Sequence, residues 1–171
     1  VRLLLAATLS PTYGIYSGFE LCENTPRSEG SEEYLNSEKY ELKHRDFDAP
    51  GNLNDDIRRI NRIRHENPAL QQHVNLAFHQ AENDQVIFYR KWSGDNDLLM
   101  VVNTDPEKVQ ESTVQVPLSD LGLASEESYE LEDLMTGERH RWHGSANYVR
   151  LDPEKQAGHI LRLVRSGESG L

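Results

Sequence analysis

Residues 86–103 read VIFYRKWSGDNDLLMVVN. Two β-prone runs, 86–92 and 98–103, flank the turn signal Ser93-Gly94-Asp95-Asn96-Asp97. Aromatic and β-branched residues suit a pleated, half-buried surface, whereas Gly, Asp and Asn supply turn conformations. The same alternation continues on both sides. Further short runs fall at 74–78, 113–116, 129–134, 139–142, 148–151 and 159–164, with turn signals at Glu82-Asn83-Asp84 and Thr136-Gly137-Glu138. Eight short strands at this spacing predict an antiparallel β-sandwich over residues 73–165. Residues 166–171, inside RSGESGL, read as a flexible tail.

Upstream of residue 72 the pattern is different. Residues 2–9, RLLLAATL, predict a short buried helix that Ser10-Pro11 ends. With Val1 and Ser10 this stretch imitates a signal peptide, but its apolar run is too short to span a bilayer. It reads as a helix entered mid-chain, and the chain as a C-terminal piece of a longer protein. Residues 13–21, YGIYSGFEL, predict one short buried strand. Residues 22–53 are rich in Glu, Ser, Asn, Gly and Pro and read as a long loop, a length usually reserved for function or disorder. Asn54-Asp55-Asp56 then opens a helix with capping chemistry and an acidic first turn. Leu53, Ile57, Ile60 and Ile63 form its core face, and Asn67-Pro68 ends it.

The 171 residues carry a formal net charge of -11. That balance excludes nonspecific nucleic-acid binding, which needs clustered Lys and Arg against phosphates. Arg58, Arg59, Arg62 and Arg64 share the second helix and read as its solvated face. The single cysteine, Cys22, excludes an internal disulfide and fits a reducing compartment; it reads as a small buried or half-buried thiol.

No local motif supplies a complete chemistry. His140 and His143 flank Arg141-Trp142, and His44 precedes an acidic cluster, but no metal-ligand spacing joins the seven histidines. No metal site and no cofactor are expected. No Gly-rich phosphate loop precedes a helix. Glu20, at the end of the predicted strand 13–21, is the best-placed carboxylate, with a structural role in holding a neighbouring loop as the competing reading. Trp92 and Trp142 could stack on sugar rings, yet Trp92 lies in an alternating strand, which favours packing.

Longer stretches carry a resemblance. SPTYGIYSGFELCENTP resembles the last barrel strand of the α-amylase superfamily. GSEEYLNSEKYELKHRDFDAPGNLNDDIRRINRIRHENPALQ closely resembles the bacterial maltosyltransferases that extend α-1,4-glucans from maltose 1-phosphate. LLMVVNTDP, YELEDLMTGERHRWHGSANYVRLDP and AGHILRL resemble the C-terminal β-domain of the same family. The resemblance covers essentially the whole chain.

It implies an α/β plus all-β architecture: residues 1–72 as the last strand and helix of a catalytic (β/α)8 TIM barrel, then the β-sandwich. It implies transfer of maltosyl units with retention, through an Asp nucleophile and a Glu that acts first as acid and then as base. Those two residues and the family's second Asp follow earlier barrel strands, so no carboxylate here is expected to be catalytic. What the resemblance assigns to this chain is sugar binding. A Lys-Tyr pair that contacts the donor's maltosyl moiety maps onto Lys39 and Tyr40. An ammonium can donate to several hydroxyls, and a phenol can hydrogen-bond while packing on the ring. Asn36 and Phe47 stand where the family pattern has Asp and Trp. The implied partners are α-maltose 1-phosphate, α-1,4-glucan and a second copy of the chain, with no membrane partner and a cytoplasmic location. The alternatives are a non-catalytic glucan-binding or interaction sandwich, and a hydrolase or isomerase of the same superfamily.

Overall fold

In a computed structural model the described residues are 1–36 and 42–165. They form two compact units, one of Val1–Thr12 with the chain from Ile60 onward, the other Tyr13–Arg59. In the first unit all eight expected strands are present. They are β1 (Leu76–His79), β2 (Val86–Ser93), β3 (Asn96–Asn103), β4 (Gln110–Gln115), β5 (Ser128–Asp133), β6 (Arg139–His143), β7 (Ala146–Leu151) and β8 (Gly158–Val164). A six-stranded sheet runs β1-β2-β3-β8-β5-β6, and β4 pairs with β7 in a second sheet; every pairing is antiparallel.

The core lies where the two sheets meet. Phe88, Leu99, Val101, Leu131 and Leu161 of the large sheet pack with Val114, Val149 and Leu151 of the small one. Alternation dictates this, because successive side chains of a strand point to opposite faces. Yet Leu98–Val102 is apolar and buried at every position. A strand reads so when both faces of its sheet are covered. The second cover is helical: α1 (Arg2–Leu9) and a 3-10 turn, Pro68–Gln71, with Leu3, Leu4, Ala7, Ala69 and Leu70 buried. The Tyr89 hydroxyl meets Thr8 Oγ1 at 2.6 Å, and burial drives its pKa upward. The unit is therefore a sandwich with a helical layer on its larger sheet.

Gly158 marks the tightest strand approach. A Cβ there would lie 2.7 Å from the Val101 carbonyl oxygen and 3.2 Å from Val102 Cα, both backbone atoms in the neighbouring strand. Gly158→Ala is expected to destabilise the unit by about 1–3 kcal/mol, as overpacking does. Chemical denaturation checks this through a lowered midpoint at unchanged slope.

Helix α2 (Asn54–Glu66) forms as expected, with Ile60 and Ile63 buried and Asp55 and Asp56 in its first turn. The capping side chain is Asn52, whose Oδ1 accepts the Asn54 N–H at 3.0 Å. Arg58, Arg59 and Arg62 are exposed. Arg64 departs from that solvated face. Its guanidinium donates to the Ala7, Ser10 (3.0 Å) and Pro11 (2.6 Å) carbonyls. It thereby satisfies acceptors that the C-terminal turn of α1 leaves open.

The expected strand over 13–21 is absent. Ile15 and Tyr16 are exposed, and the stretch ends in a 3-10 turn, Phe19–Leu21. A strand is completed by the strands beside it, and among the described residues no strand of either sheet runs beside 13–21. Cys22 is exposed rather than buried, because it ends that turn in a left-handed conformation at φ 58°. Among the described residues no helix is long and apolar enough to cross a membrane.

Candidate functional site

The loop region of the second unit is more ordered than its composition suggests. Thr25 and Glu33 carbonyls accept the Leu35 and Arg27 N–H groups at 2.9 and 2.7 Å, with an antiparallel bridge between Pro26 and Tyr34. Tyr16 meets Tyr34 edge-on, ring centroids 6.2 Å apart. Beside this hairpin is a recess of about 290 Å³ lined by Glu23, Thr25, Tyr34, Leu35, Asn36 and Lys43.

Glu23 organises the recess. Its carboxylate accepts Arg45 Nε at 2.9 Å, Arg45 Nη2 at 3.2 Å and Lys43 Nζ at 3.2 Å. The Arg45 hydrogen bonds hold its pKa below the ordinary value against partial desolvation, with Lys43 adding to the effect. The carboxylate lies against the backbone at Gly18, φ +99°, where any Cβ would collide with it. Glycine alone fits there, since it both tolerates the left-handed region and leaves the space. Glu20 is held within its own turn. Its Oε2 accepts the Gly18 N–H at 3.1 Å, and its carbonyl accepts the Leu53 N–H at 2.7 Å. The carboxylate of Glu20 closes its own turn, and its backbone carbonyl, not its side chain, reaches the loop at Leu53.

The sign of the Glu23 shift fixes a pH dependence. A depressed carboxyl contributes stability that is complete above its unfolded value, near 4.5, and fades as pH falls through the lowered folded value. The Arg45 Nε–H NMR resonance is therefore expected to keep its position down to that window and move below it. In Glu23→Gln the transition should vanish; its persistence would assign the titration elsewhere.

Lys39 and Tyr40 lie outside the described residues. In sequence they fall between Asn36 and Lys43, both of which line the recess. In the sandwich, Trp92 is partly buried beneath Arg90, whose guanidinium carbon is 4.6 Å from the ring centroid. Trp142 packs against the core and edge-on to Tyr129. Tyr129 donates to the Gly144 carbonyl at 3.0 Å, and burial pushes its pKa up to about 12. Trp92 thus packs under Arg90 and not within the core cluster, a cation–π contact that the alternation did not reveal.

A grouping that sequence spacing concealed lies in β5, β6 and β8. Asp133, His140 and His159 each place a ligand-type atom within 4.8 Å of the others. Asp133 is fully buried. Desolvation raises its pKa, but hydrogen bonds from His159, Gln156 and the Met135 N–H outweigh this and hold it low. His143, by contrast, is exposed, as the two-residue period of a strand requires for a side chain three positions from His140.

The architecture is shared with amylase-type enzymes. The maltogenic alpha-amylase AmyB from Thermotoga neapolitana superposes with a TM-score of 0.65 at 16% identity, covering 96% of this chain and 36% of that one. The cyclomaltodextrin glucanotransferase CldA superposes with a TM-score of 0.59 at 18% identity, covering 89% and 29%. At such identities the likeness is one of fold.

The family is narrower. The model described as "GLGE, C-terminal" matches residues 78–163, half of the chain, and the chain belongs to that family. Alpha-1,4-glucan:maltose-1-phosphate maltosyltransferase 1 of Streptomyces coelicolor is 52% identical over 169 residues, which cover 96% of this chain and 25% of that protein. Maltosyltransferases of Corynebacterium glutamicum and Cereibacter sphaeroides are 47% and 46% identical, covering 95% and 98% of this chain. The chain spans about a quarter of the length of the curated relatives it matches.

Proposed function

We propose that this chain is the C-terminal part of a retaining maltosyltransferase. The intact enzyme moves maltosyl units from α-maltose 1-phosphate to the non-reducing end of α-1,4-glucans in the cytoplasm and releases phosphate. Residues 1–72 close its catalytic barrel, residues 73–165 form its β-domain, and residues 166–171 are a tail; two copies associate. The observation that carries this reading is the 52% identity, over 96% of the chain, to a protein named for that activity.

Within that enzyme, Lys39 and Tyr40 bind the maltosyl moiety of the donor. Both fall in sequence between residues that line the Glu23 recess. No carboxylate of this chain performs the chemistry. An Asp outside it displaces phosphate to form a maltosyl ester. The glucan 4-hydroxyl then attacks the anomeric carbon, giving its proton to a Glu outside the chain.

The test is steady-state kinetics of an intact maltosyltransferase carrying this segment. Lys39→Ala and Tyr40→Phe are each expected to lower kcat/KM for maltose 1-phosphate about tenfold, the loss of roughly 1.4 kcal/mol of binding. Unchanged kinetics in both variants remove the pair from the site.

A further inference from the structure

Three side chains from three strands converge at one end of the large sheet's inner face. Asp133 ends β5, His140 lies in β6, and His159 is the second residue of β8. Leu131, Leu161 and Leu163 of the same face belong to the core. This polar group therefore replaces apolar packing where the core reaches its rim. Burial of this kind is costly unless every polar atom finds a partner.

Asp133 is fully supplied. Its Oδ2 accepts from Gln156 Nε2 at 2.6 Å, His159 Nδ1 at 2.9 Å and Thr136 Oγ1 at 3.2 Å, and its Oδ1 accepts from the Met135 N–H at 3.0 Å. His140 is not. Its Nε2 is buried and has no hydrogen-bond partner, and its ring meets His159 edge-on with centroids 5.9 Å apart. An unpaired ring nitrogen beside a second imidazole and an ionised carboxylate is poorly explained by packing alone.

We propose that Asp133, His140 and His159 form a binding site for one divalent transition-metal ion of the zinc class. The donor set is two imidazole nitrogens and one carboxylate oxygen, which suits Zn²⁺, Co²⁺ and Ni²⁺ better than Ca²⁺ or Mg²⁺. Bond lengths of about 2.0–2.2 Å in a tetrahedral site set donor atoms roughly 3.3–3.6 Å apart. The present limit of 4.8 Å needs a contraction that side-chain rotation can supply. The His159–Asp133 contact, at 2.9 Å, is shorter than that range and opens by a few tenths of an ångström to admit the ion. On binding, His159 Nδ1 gives up the proton of this hydrogen bond to its own Nε2, so that the imidazole offers Nδ1 to the ion as a neutral ligand beside the Asp133 carboxylate. Gln156, Thr136 and the Met135 N–H remain as the outer hydrogen bonds that orient the carboxylate. A recess of about 220 Å³, lined by His140, Trp142, Tyr148, Arg150 and His159 among others, gives access for the ion and for a water as fourth ligand. The site lies in the β-domain, and its role is to clamp β5, β6 and β8 together.

The experiment uses the chain after EDTA treatment, titrated with Zn²⁺ by calorimetry and with Co²⁺ by visible absorption. The expected result is one equivalent bound, a Co²⁺ spectrum of tetrahedral intensity, and a raised unfolding temperature with Zn²⁺. His140→Ala and His140→Gln remove a nitrogen that now bonds to nothing, so the metal-free fold should survive. Each is expected to weaken binding about tenfold or more. His143→Ala, on an exposed histidine, should leave it unchanged. The proposal is overturned by the absence of saturable binding. It is equally overturned by binding that both His140 variants retain at full affinity, or that His143→Ala abolishes.

Discussion

Asp97→Ala is expected to remove about 3–5 kcal/mol of stability, the usual cost of stripping one partner from a buried ion pair. Asp97 is 2% exposed and Arg90 7%. The carboxylate accepts Arg90 Nε at 2.9 Å and Nη2 at 2.5 Å, and its second oxygen accepts Arg165 Nη2 at 2.6 Å. Its loss leaves the Arg90 guanidinium buried with the Asp120 carbonyl at 3.0 Å, the Asp120 carboxylate at 3.7 Å and the face of Trp92. The Asp120 side chain is 52% exposed and its contact long, so it offsets only part of the buried charge. Set against a typical total of 5–15 kcal/mol, this predicts a fall in Tm of roughly 6–20 °C for a domain of this size. A double replacement, Arg90→Met with Asp97→Leu, should cost less than Asp97→Ala alone, because it strands no charge. Calorimetric unfolding of the three variants checks the order, and a double variant worse than the single one would show that the charge pair is not the source of the loss.

The second large effect is an absence of activity. The 171-residue chain alone is expected to transfer no maltosyl groups from maltose 1-phosphate to glucan. Enzymes of this kind accelerate their reactions by at least about 10⁶-fold, so a chain that binds sugar without the reacting carboxylates should be indistinguishable from buffer. The recess itself argues this way. A general acid for glycosyl transfer needs a carboxyl whose pKa is raised. Glu23, the shifted carboxylate among the residues lining the recess, is shifted downward by Arg45 and Lys43. Glu20 is tied to the Gly18 amide. Transfer above background, measured as phosphate release with glucan present, would place catalysis within this chain.

The strands were legible because their signal is local. Each of β1 to β8 carries its own β-prone run, set off by turn residues, and no distant segment is needed to recognise it. What could not be read was how the layers close. The run LLMVV at 98–102 fits any buried strand, and only the position of α1 explains why both its faces are apolar. Arg64 looked like its helical neighbours, since nothing in RRINRIR distinguishes the arginine that reaches carbonyls some fifty residues earlier. Residues 13–21 erred in the opposite direction, since the local pattern of a strand persists where its hydrogen-bonding neighbours do not. The Asp133–His140–His159 group has no sequence spacing at all, because it is assembled across three strands. Lys39 and Tyr40 were reached through family resemblance, not through any chemistry their neighbours display.

The most direct measurement compares donor and acceptor dependence in an intact maltosyltransferase carrying Lys39→Ala. Initial rates are taken with maltose 1-phosphate varied at saturating glucan, then with glucan varied at saturating donor. The account predicts a raised KM for maltose 1-phosphate with the KM for glucan unchanged, because the contact proposed for the lysine is with the donor's maltosyl unit. A variant whose donor KM is that of the parent enzyme, or whose defect lies on the glucan side alone, would contradict it.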